Sequence, residues 1–511
     1  MNNKELYLYN TTNDRTSNFS VWHAFPGPYS FAMSSLGYLW TFKQLDEYAG
    51  INVERIYTDT KSTIYKNPNL ISFSLSFDTD IISVLTILEK YSIPFKCNER
   101  NNNSYPIIFA GGPVVSANPE PYSEIFDFFI IGDGEDINLQ TVQIIKNNQD
   151  KSKEDILKQL SEIEGIYVPK FKKNVKKLTK TLTECVYTPI LSEDSFFKNT
   201  FILEMSRGCS NRCGFCLASY LNLPLRPVNY TKLLETIEFG LKHTNKTALL
   251  GAQISAHPHF HDICNYIYGR IQNGENIEIS LSSLRVDAVT DDVIKMLTAA
   301  KQKNTTLAIE AGSERLRKVI NKHLNEEQIF NAVKIARENG LKGVKFYGMI
   351  GLPTETQEDL QELVNLAKRL KNANKGFDIS FGISSFVPKP HTPFQWIGRE
   401  NTKSLEAKSN YLKKEFHKLG IKLNISSIKW DYWQTVLSRG DSKLTDFIID
   451  VYKNGAKLGA FKAAAKKFGI NADCFAYETY DFSKTLPWDF IEIIPKKEFL
   501  IAENKRLIDS N

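Results

Sequence analysis

Long apolar runs are missing from this chain. Nothing in its 511 residues approaches the roughly 20 consecutive apolar positions that a membrane-spanning helix needs. An excess of one charge is missing too. Lysines and arginines number 64 against 58 aspartates and glutamates, and a net +6 over that length does not indicate nucleic acid as a partner. Cysteine is scarce, at seven residues, and the number is odd. Four of the seven, Cys97, Cys185, Cys264 and Cys474, stand far apart, which excludes the dense, even-numbered disulfide framework of a small secreted protein. The stretch Met1 to Ser17 lacks the basic-then-apolar order of a secretory leader, so a reducing cytoplasm is the expected setting. No Gly-x-Gly-x-x-Gly occurs in the first 150 residues, which leaves a dinucleotide site without support.

What is present is ordinary globular composition, 42% apolar and 24% charged, with length for about three domains at roughly 150 residues each. Near-continuous apolar strands at Phe19–Phe25, Ile51–Tyr57, Leu70–Phe77, Pro106–Ala110 and Phe126–Ile131 alternate with helical stretches up to about Lys146. This pattern predicts a Rossmann-like α/β domain over 1–150, its parallel sheet covered on both faces. Ligands of such sheets lie beyond the carboxyl ends of the strands, where Gly111-Gly112-Pro113 and Gly132-Asp133-Gly134 fall. A connector over 151–198 carries six lysines between Lys170 and Lys180, read as a solvated face. From 199 to 395 a βα rhythm resumes, with strands at Phe201–Met205, Ala248–Leu250, Ile277–Leu281, Thr306–Ile309, Gly343–Ile350 and Asp378–Ile383. Six βα units in under two hundred residues predict a partial (β/α)6 barrel rather than a closed eight-fold one. Over 396–511 helices dominate, and Trp430, Trp433 and Trp488 are expected to anchor a small core of their own.

The remaining three cysteines fall within eight residues. Cys209-x3-Cys213-x2-Cys216 follows the first barrel strand directly, on the face where barrel enzymes carry chemistry. Thiolates at this spacing suit zinc or an iron–sulfur cluster. A structural zinc site wants four protein ligands, and no fourth lies nearby in sequence. Three cysteines on a four-iron cluster leave one iron open to a small molecule.

The arrangement Cys209-x3-Cys213-x-Phe215-Cys216 resembles the signature of radical S-adenosylmethionine (radical SAM) enzymes. In that family SAM chelates the open iron of a [4Fe-4S] cluster, and its one-electron cleavage yields a 5′-deoxyadenosyl radical. The resemblance implies Cys209, Cys213 and Cys216 as metal ligands, with Phe215 beside the adenine. It extends to Ser283 and Arg285 after the third strand, to Glu310 and Gly312 after the fourth, and to Ile350 and Gly351 after the fifth, all implied as SAM contacts. Gly251 stands where a Gly-Gly-Glu segment often binds the amino group, but Leu250-Gly251-Ala252-Gln253 departs from that pattern. Family membership also implies a cellular reductant of flavodoxin or ferredoxin type.

The flanks resemble the cobalamin-binding type of radical SAM protein, through Gly111-Gly112-Pro113, Asn118-Pro119-Glu120 and Gly132-Asp133-Gly134-Glu135. Arg439-Gly440-Asp441 and Leu486-Pro487-Trp488 resemble an uncharacterised branch of it. Cobalamin is therefore a candidate cofactor, although the Asp-x-His-x-x-Gly motif that places histidine on cobalt is absent. The lone histidine of the first domain, His23, sits among apolar residues and is read as a satisfied core residue. His257, His259 and His261 read as a polar helix start, with acid–base work as the alternative. Three functions stay open: a radical SAM enzyme with a scaffolding first domain, acting on an unknown substrate; a cobalamin-dependent radical SAM methyltransferase; and a non-catalytic metal-containing module that contacts RNA. Within the first two, methyl transfer and methylthiolation are both open outcomes.

Overall fold

A computed structural model describes residues 4–60, 68–101 and 104–509. The amino-terminal part is a six-stranded sheet of β1 (Ser20–Ala24), β2 (Asn52–Ile56), β3 (Leu70–Ser74), β4 (Ile107–Gly111), β5 (Phe128–Ile130) and β6 (Ile166–Tyr167). Its order is β2-β1-β3-β4-β5-β6, parallel through β5 and antiparallel at β6. The apolar runs are buried on both faces because alternate side chains enter different cores. Val21, Leu70, Ile107, Phe109 and Phe128 face one side. Trp22, Ile71, Phe73, Ile108 and Phe129 face the other.

That second face is closed by the far end of the chain. Trp433, Phe447, Phe461 and Trp488 share its core, so the carboxyl-terminal tryptophans do not build a core of their own as the sequence suggests. Trp430 stays at the rim, edge-on to Phe461. A five-stranded parallel sheet needs cover on both faces, and on this one helix Asp80–Lys90 shares the cover with the carboxyl-terminal elements.

The second sheet system holds seven parallel strands: β7 (Phe201–Arg207), β8 (Lys246–Gly251), β9 (Glu278–Leu281), β10 (Asn304–Glu310), β11 (Gly343–Ile350), β12 (Asp378–Ser385) and β13 (Lys422–Ile425). β7-β8-β9 and β10 through β13 form two parallel sheets joined by a parallel bridge between Leu284 and Leu307. β7 is flanked by antiparallel pieces at Arg226–Pro227 and Tyr187, so the barrel is partial. The seventh strand follows helix Thr402–Leu419, in a stretch read from sequence as dominated by helices. On the open side, helix Leu36–Asp46 lays Leu36 and Trp40 against Ile202 and Val186. Burying Leu36 alone contributes about 2 kcal/mol to this junction. The carboxyl ends of the amino-terminal strands thereby face the barrel mouth.

Candidate active site

The eight residues from Cys209 to Cys216 leave β7 through Gly208, whose φ is +88°. A Cβ there would lie 2.3 Å from the Asn222 carbonyl oxygen, so only glycine permits the loop to fold back. The loop is held from several directions. Tyr220 Oη donates to the Arg212 carbonyl at 2.8 Å. Asn321 Nδ2 donates to the Asn211 and Arg212 carbonyls, both at 3.0 Å. Gly214 N–H donates to Ile320 O at 3.1 Å, and its carbonyl accepts from Phe394 N–H at 3.2 Å.

Cys209 and Cys213 are buried and Cys216 is half-buried. Cys209 Sγ lies 3.2 Å from Gln253 Oε1, and Cys213 Sγ lies 3.8 Å from Asn321 O. Burial pushes the Cys213 thiol up to about 12, with Lys322 opposing and the charges of Cys216, Glu310 and Cys209 adding to it. Burial also raises Cys216, which feels Cys209 and Glu310. The three thiols thus share one electrostatic neighbourhood. Among the described residues no three His, Cys, Asp or Glu side chains converge tightly enough for a single metal ion. A mononuclear zinc site needs such convergence. An iron–sulfur cluster carries its thiolates on separate irons, and bound iron stabilises the thiolates that burial disfavours. The donor set fits a cluster.

Around this loop the strand ends supply the other residues singled out in the sequence. A β-bulge between Ala308 and Glu310 turns Glu310 to φ +67°, and its carboxylate pairs with Lys322 at 3.1 Å. Arg285 clasps Asp287 through Nε and Nη2, at 2.9 and 2.8 Å, and feels the charges of Cys213 and Cys209. Phe215 packs in a small apolar cluster with Ala311, Met349, Leu352, Phe386 and Leu507. Gly251 pairs with Ser206 at the end of β8, and Ser283 is exposed. Three further positions are fixed by packing. Ile350 is fully buried in the barrel core. A Cβ on Gly312 would strike the Leu363 backbone at 2.3 Å, so helix packing demands this glycine. Gly351 has φ +73°, spends its N–H on Glu355 at 2.8 Å, and leaves room for Leu405.

Sequence reasoning missed Asn321, Lys322 and Arg506, whose nearness to the loop is purely tertiary. Gln253 marked a departure from a pattern and proves to face Cys209. The three histidines after β8 diverge. His257 Nε2 meets Val228 O at 2.9 Å, His259 Nδ1 meets Asp262 at 2.8 Å, and His261 Nδ1 meets Asp292 at 2.7 Å. The helix there begins at Phe260, two residues beyond Pro258.

Between the two sheets lies a cleft of ≈ 380 Å³, lined by Ser74, Gly112, Gly134, Lys177, Glu204 and Leu250. It opens at the point between β1 and β3 where the strand order reverses, the usual ligand position of this sheet type. One wall is an ion network. Arg207 reaches Asp133 at 3.0 Å, and Glu135 and Glu204 at 2.8 Å each, while Arg226 also grips Asp133. His23, though buried, also lines the cleft. Its Nδ1 is 2.7 Å from Ser72 Oγ, its Nε2 is 3.0 Å from Tyr38 O, and its ring stacks on Tyr38. A carbonyl at Nε2 requires the proton there, so Ser72 donates to Nδ1 and both nitrogens are engaged.

A partial barrel with a three-cysteine loop at its mouth defines a class of iron–sulfur radical enzyme, and the comparisons agree. Residues 42–169 match the amino-terminal domain of radical SAM proteins, and residues 203–367 match the radical SAM superfamily. The chain is 32% identical over 443 residues to the uncharacterized protein MJ0966 of Methanocaldococcus jannaschii, covering 85% of this chain and 91% of that one. It is 24% identical over 322 residues to the uncharacterized methyltransferase PH0819 of Pyrococcus horikoshii, covering 58% and 65%. Among solved structures, the cobalamin-dependent radical enzyme OxsB with aqua-cobalamin bound shares the fold. It has a TM-score of 0.55 at 15% identity, over 96% of this chain and 80% of that one. The chain belongs to the radical SAM superfamily. It is therefore an enzyme of that class, with a [4Fe-4S] cluster and SAM as cofactors and a need for a reductant and a substrate. Among the described residues no helix is long and apolar enough to cross a membrane.

Proposed function

We propose that Cys209, Cys213 and Cys216 hold the [4Fe-4S] cluster and that the chain makes a substrate radical in the cleft between its two sheets. The observation that carries this reading is the cysteine loop itself, three neighbouring thiols fixed at the barrel mouth by hydrogen bonds from three other parts of the chain. With SAM bound, the cluster supplies one-electron cleavage of the sulfonium and hence a 5′-deoxyadenosyl radical. The protein's part is placement. Glu310 and Arg285 hold polar ends of SAM by charge-assisted hydrogen bonds. Phe215 shields the adenine side with Met349 and Leu352. Gly251, Ser283 and the Ile350–Gly351 backbone complete the rim, and Gly312 contributes through helix packing. A flavodoxin- or ferredoxin-type protein is the reductant, in a reducing cytoplasm where all seven cysteines stay free. Nucleic acid is not called for.

In this reading the amino-terminal sheet is a wall of the cleft. Its lone histidine has both nitrogens engaged, by Ser72 and Tyr38, so it offers no free nitrogen to cobalt. The cleft volume suits a drug-sized molecule. A second reading, cobalamin-dependent methyl transfer, is favoured by the position of that cleft at the strand-order switch facing the barrel. The remaining cysteines are dispersed: Cys185 and Cys264 are buried in the barrel core, Cys474 is exposed, and Cys97 lies beside the amino-terminal sheet. They offer no second cluster for methylthiolation.

The deciding experiment is anaerobic reconstitution with iron and sulfide, then dithionite and SAM, with 5′-deoxyadenosine quantified and the visible spectrum recorded after incubation with hydroxocobalamin. The expected result is about four irons per chain, deoxyadenosine from the wild type, and none from the Cys209→Ala/Cys213→Ala/Cys216→Ala variant. Zinc in place of iron overturns the proposal. Stoichiometric corrinoid retained on the wild type selects the second reading.

A further inference from the structure

The elements that brace the cysteine loop come from widely separated parts of the chain, and the last of them is the carboxyl-terminal helix Lys497–Asp509. Asn321 is the node. Its Nδ2 donates both hydrogens to the loop, one to Asn211 O and one to Arg212 O. Its Oδ1 accepts from Arg506 Nη2 at 3.1 Å and from His323 Nε2 at 2.8 Å. The amide therefore uses its full hydrogen-bonding capacity, and its orientation follows from its partners, since the carbonyl side faces a guanidinium. Asn321 itself has φ +59°, a conformation asparagine tolerates better than most residues. That conformation brings its own carbonyl 3.8 Å from Cys213 Sγ.

Arg506 is set in turn by Glu503, whose carboxylate takes Nε and Nη2 at 3.0 and 2.8 Å. At three more positions the helix touches the loop or its supports. A Cβ on Gly214 would lie 2.9 Å from Leu507, the Arg212 guanidinium lies 5.5 Å over the Phe499 ring, and Asn504 Nδ2 donates to Pro393 O at 2.6 Å. Pro393 precedes Phe394, whose N–H holds the Gly214 carbonyl.

We infer that Asn321 and Arg506 are positioning residues for the cluster, and that the carboxyl-terminal helix is a strap that fixes the spacing of the three thiols. The inference rests on the cysteines being the cluster ligands, as proposed above. A short loop with two unmet carbonyls has many conformations, and a cluster demands one. Ligand geometry of this kind is held by the groups behind the ligands, whose loss typically weakens metal retention about 10- to 100-fold.

The test uses the full chain, reconstituted anaerobically, as wild type, Asn321→Ala, Arg506→Ala and Arg506→Lys, with Lys301→Ala as a distant control. Three quantities are read: the rate of iron release to a chelator, the electron paramagnetic resonance spectrum of the dithionite-reduced cluster, and the melting temperature of the metal-free chain. Asn321→Ala is expected to release iron about 10-fold faster or more, with a shifted spectrum. Arg506→Ala should show the same shift with a smaller rate change, Arg506→Lys should recover part of it, and metal-free melting should stay at the wild-type value. If Asn321→Ala also lowers that melting temperature, the Arg506 pair decides, because this side chain lies at the surface and its loss leaves the core intact. Variants that keep iron and spectrum like the wild type overturn this inference alone. A wild-type chain that takes up no iron overturns the reading of the cysteines and this inference with it.

Discussion

Two glycine-marked edges face each other across the interdomain cleft, and they are built on opposite plans. On the barrel side, the loop after β7 keeps its chemistry in side chains, three thiols whose backbone is tied down by residues more than a hundred positions away. On the amino-terminal side, Gly112 and Gly132 have φ of +106° and +107° because other backbone comes close. A Cβ would lie 2.4 Å from Leu75 O at the first and 2.2 Å from Leu178 O at the second. The ionisable groups of that edge, Asp133 and Glu135, are taken up by Arg207 and Arg226, and its histidine by Ser72 and Tyr38. One edge keeps its thiols in a braced, largely buried loop, and the other lays its ionisable groups along the cleft, where arginines of the barrel side engage them. A glycine turn at a strand end therefore marks close approach of backbone. Whether it also marks a ligand depends on what the nearby side chains are already doing.

The comparison is broken most severely at Arg207. Arg207→Met leaves Glu204 and Glu135 without their shared cation in a largely buried setting, and removing one member of such a network costs about 3–5 kcal/mol. Urea unfolding should register that loss while iron per chain after reconstitution stays at the wild-type value. A cost under about 1 kcal/mol would put the network in the class of surface ion pairs. Acid supplies an independent check. Burial alone would raise the Asp133 carboxyl, but Arg207 and Arg226 outweigh it and hold it below the ordinary value. Its contribution to stability is therefore complete above the unfolded value near 3.8 and is lost as pH falls through the lower folded one.

The two edges were also unequally legible. Both sheets, their parallel sense and the barrel's openness follow from apolar runs and βα rhythm, because burial on two faces leaves a continuous apolar signature. The cysteine spacing declares itself within eight residues. Asn321 and Arg506 gave no such signal, since an asparagine after a short helix and an arginine near the chain end look like any surface residues until the fold brings them to the loop. Gly312 and Gly351 were implied as SAM contacts by the resemblance alone, and nothing in the sequence announces their packing against Leu363 and Leu405. Periodicity reports which face is buried, not what lies against it. For the same reason β13 was hidden: Lys422–Ile425 is a half-exposed edge strand whose only claim to be a strand is its pairing with β12.

A smaller effect comes from the buried histidines. Burial lowers His23 and His391 to about 4 from an ordinary 6.5. His391 sits behind the same sheet, its Nε2 bonded to Ala117 O at 3.0 Å. Both stay neutral in the folded chain while the unfolded chain takes up protons, so stability is complete above about 6.5 and falls as pH drops toward 4. At pH 5 each histidine should cost about 2 kcal/mol relative to pH 7.5. His23→Gln, which keeps a donor for Tyr38 O, should remove its share of that slope in unfolding measured at the two pH values. An unchanged slope would mean that His23 is open to solvent, and the contrast in how the two edges hold their polar groups would fail there.

The finest cut is at Ser72, whose hydroxyl serves His23 at the back of the cleft. If that hydroxyl belongs to the histidine, Ser72→Ala removes one buried donor and costs about 1 kcal/mol. The loss should be the same in the presence and absence of excess hydroxocobalamin. The reasoning is one of linkage, since any molecule that binds only the folded chain raises its stability with concentration. A wild type that gains stability from the corrinoid, with Ser72→Ala losing that gain, would show that the edge keeps a polar group for a ligand after all. Equal losses in both conditions would leave the hydroxyl to His23 and the cleft without a polar group there for a ligand.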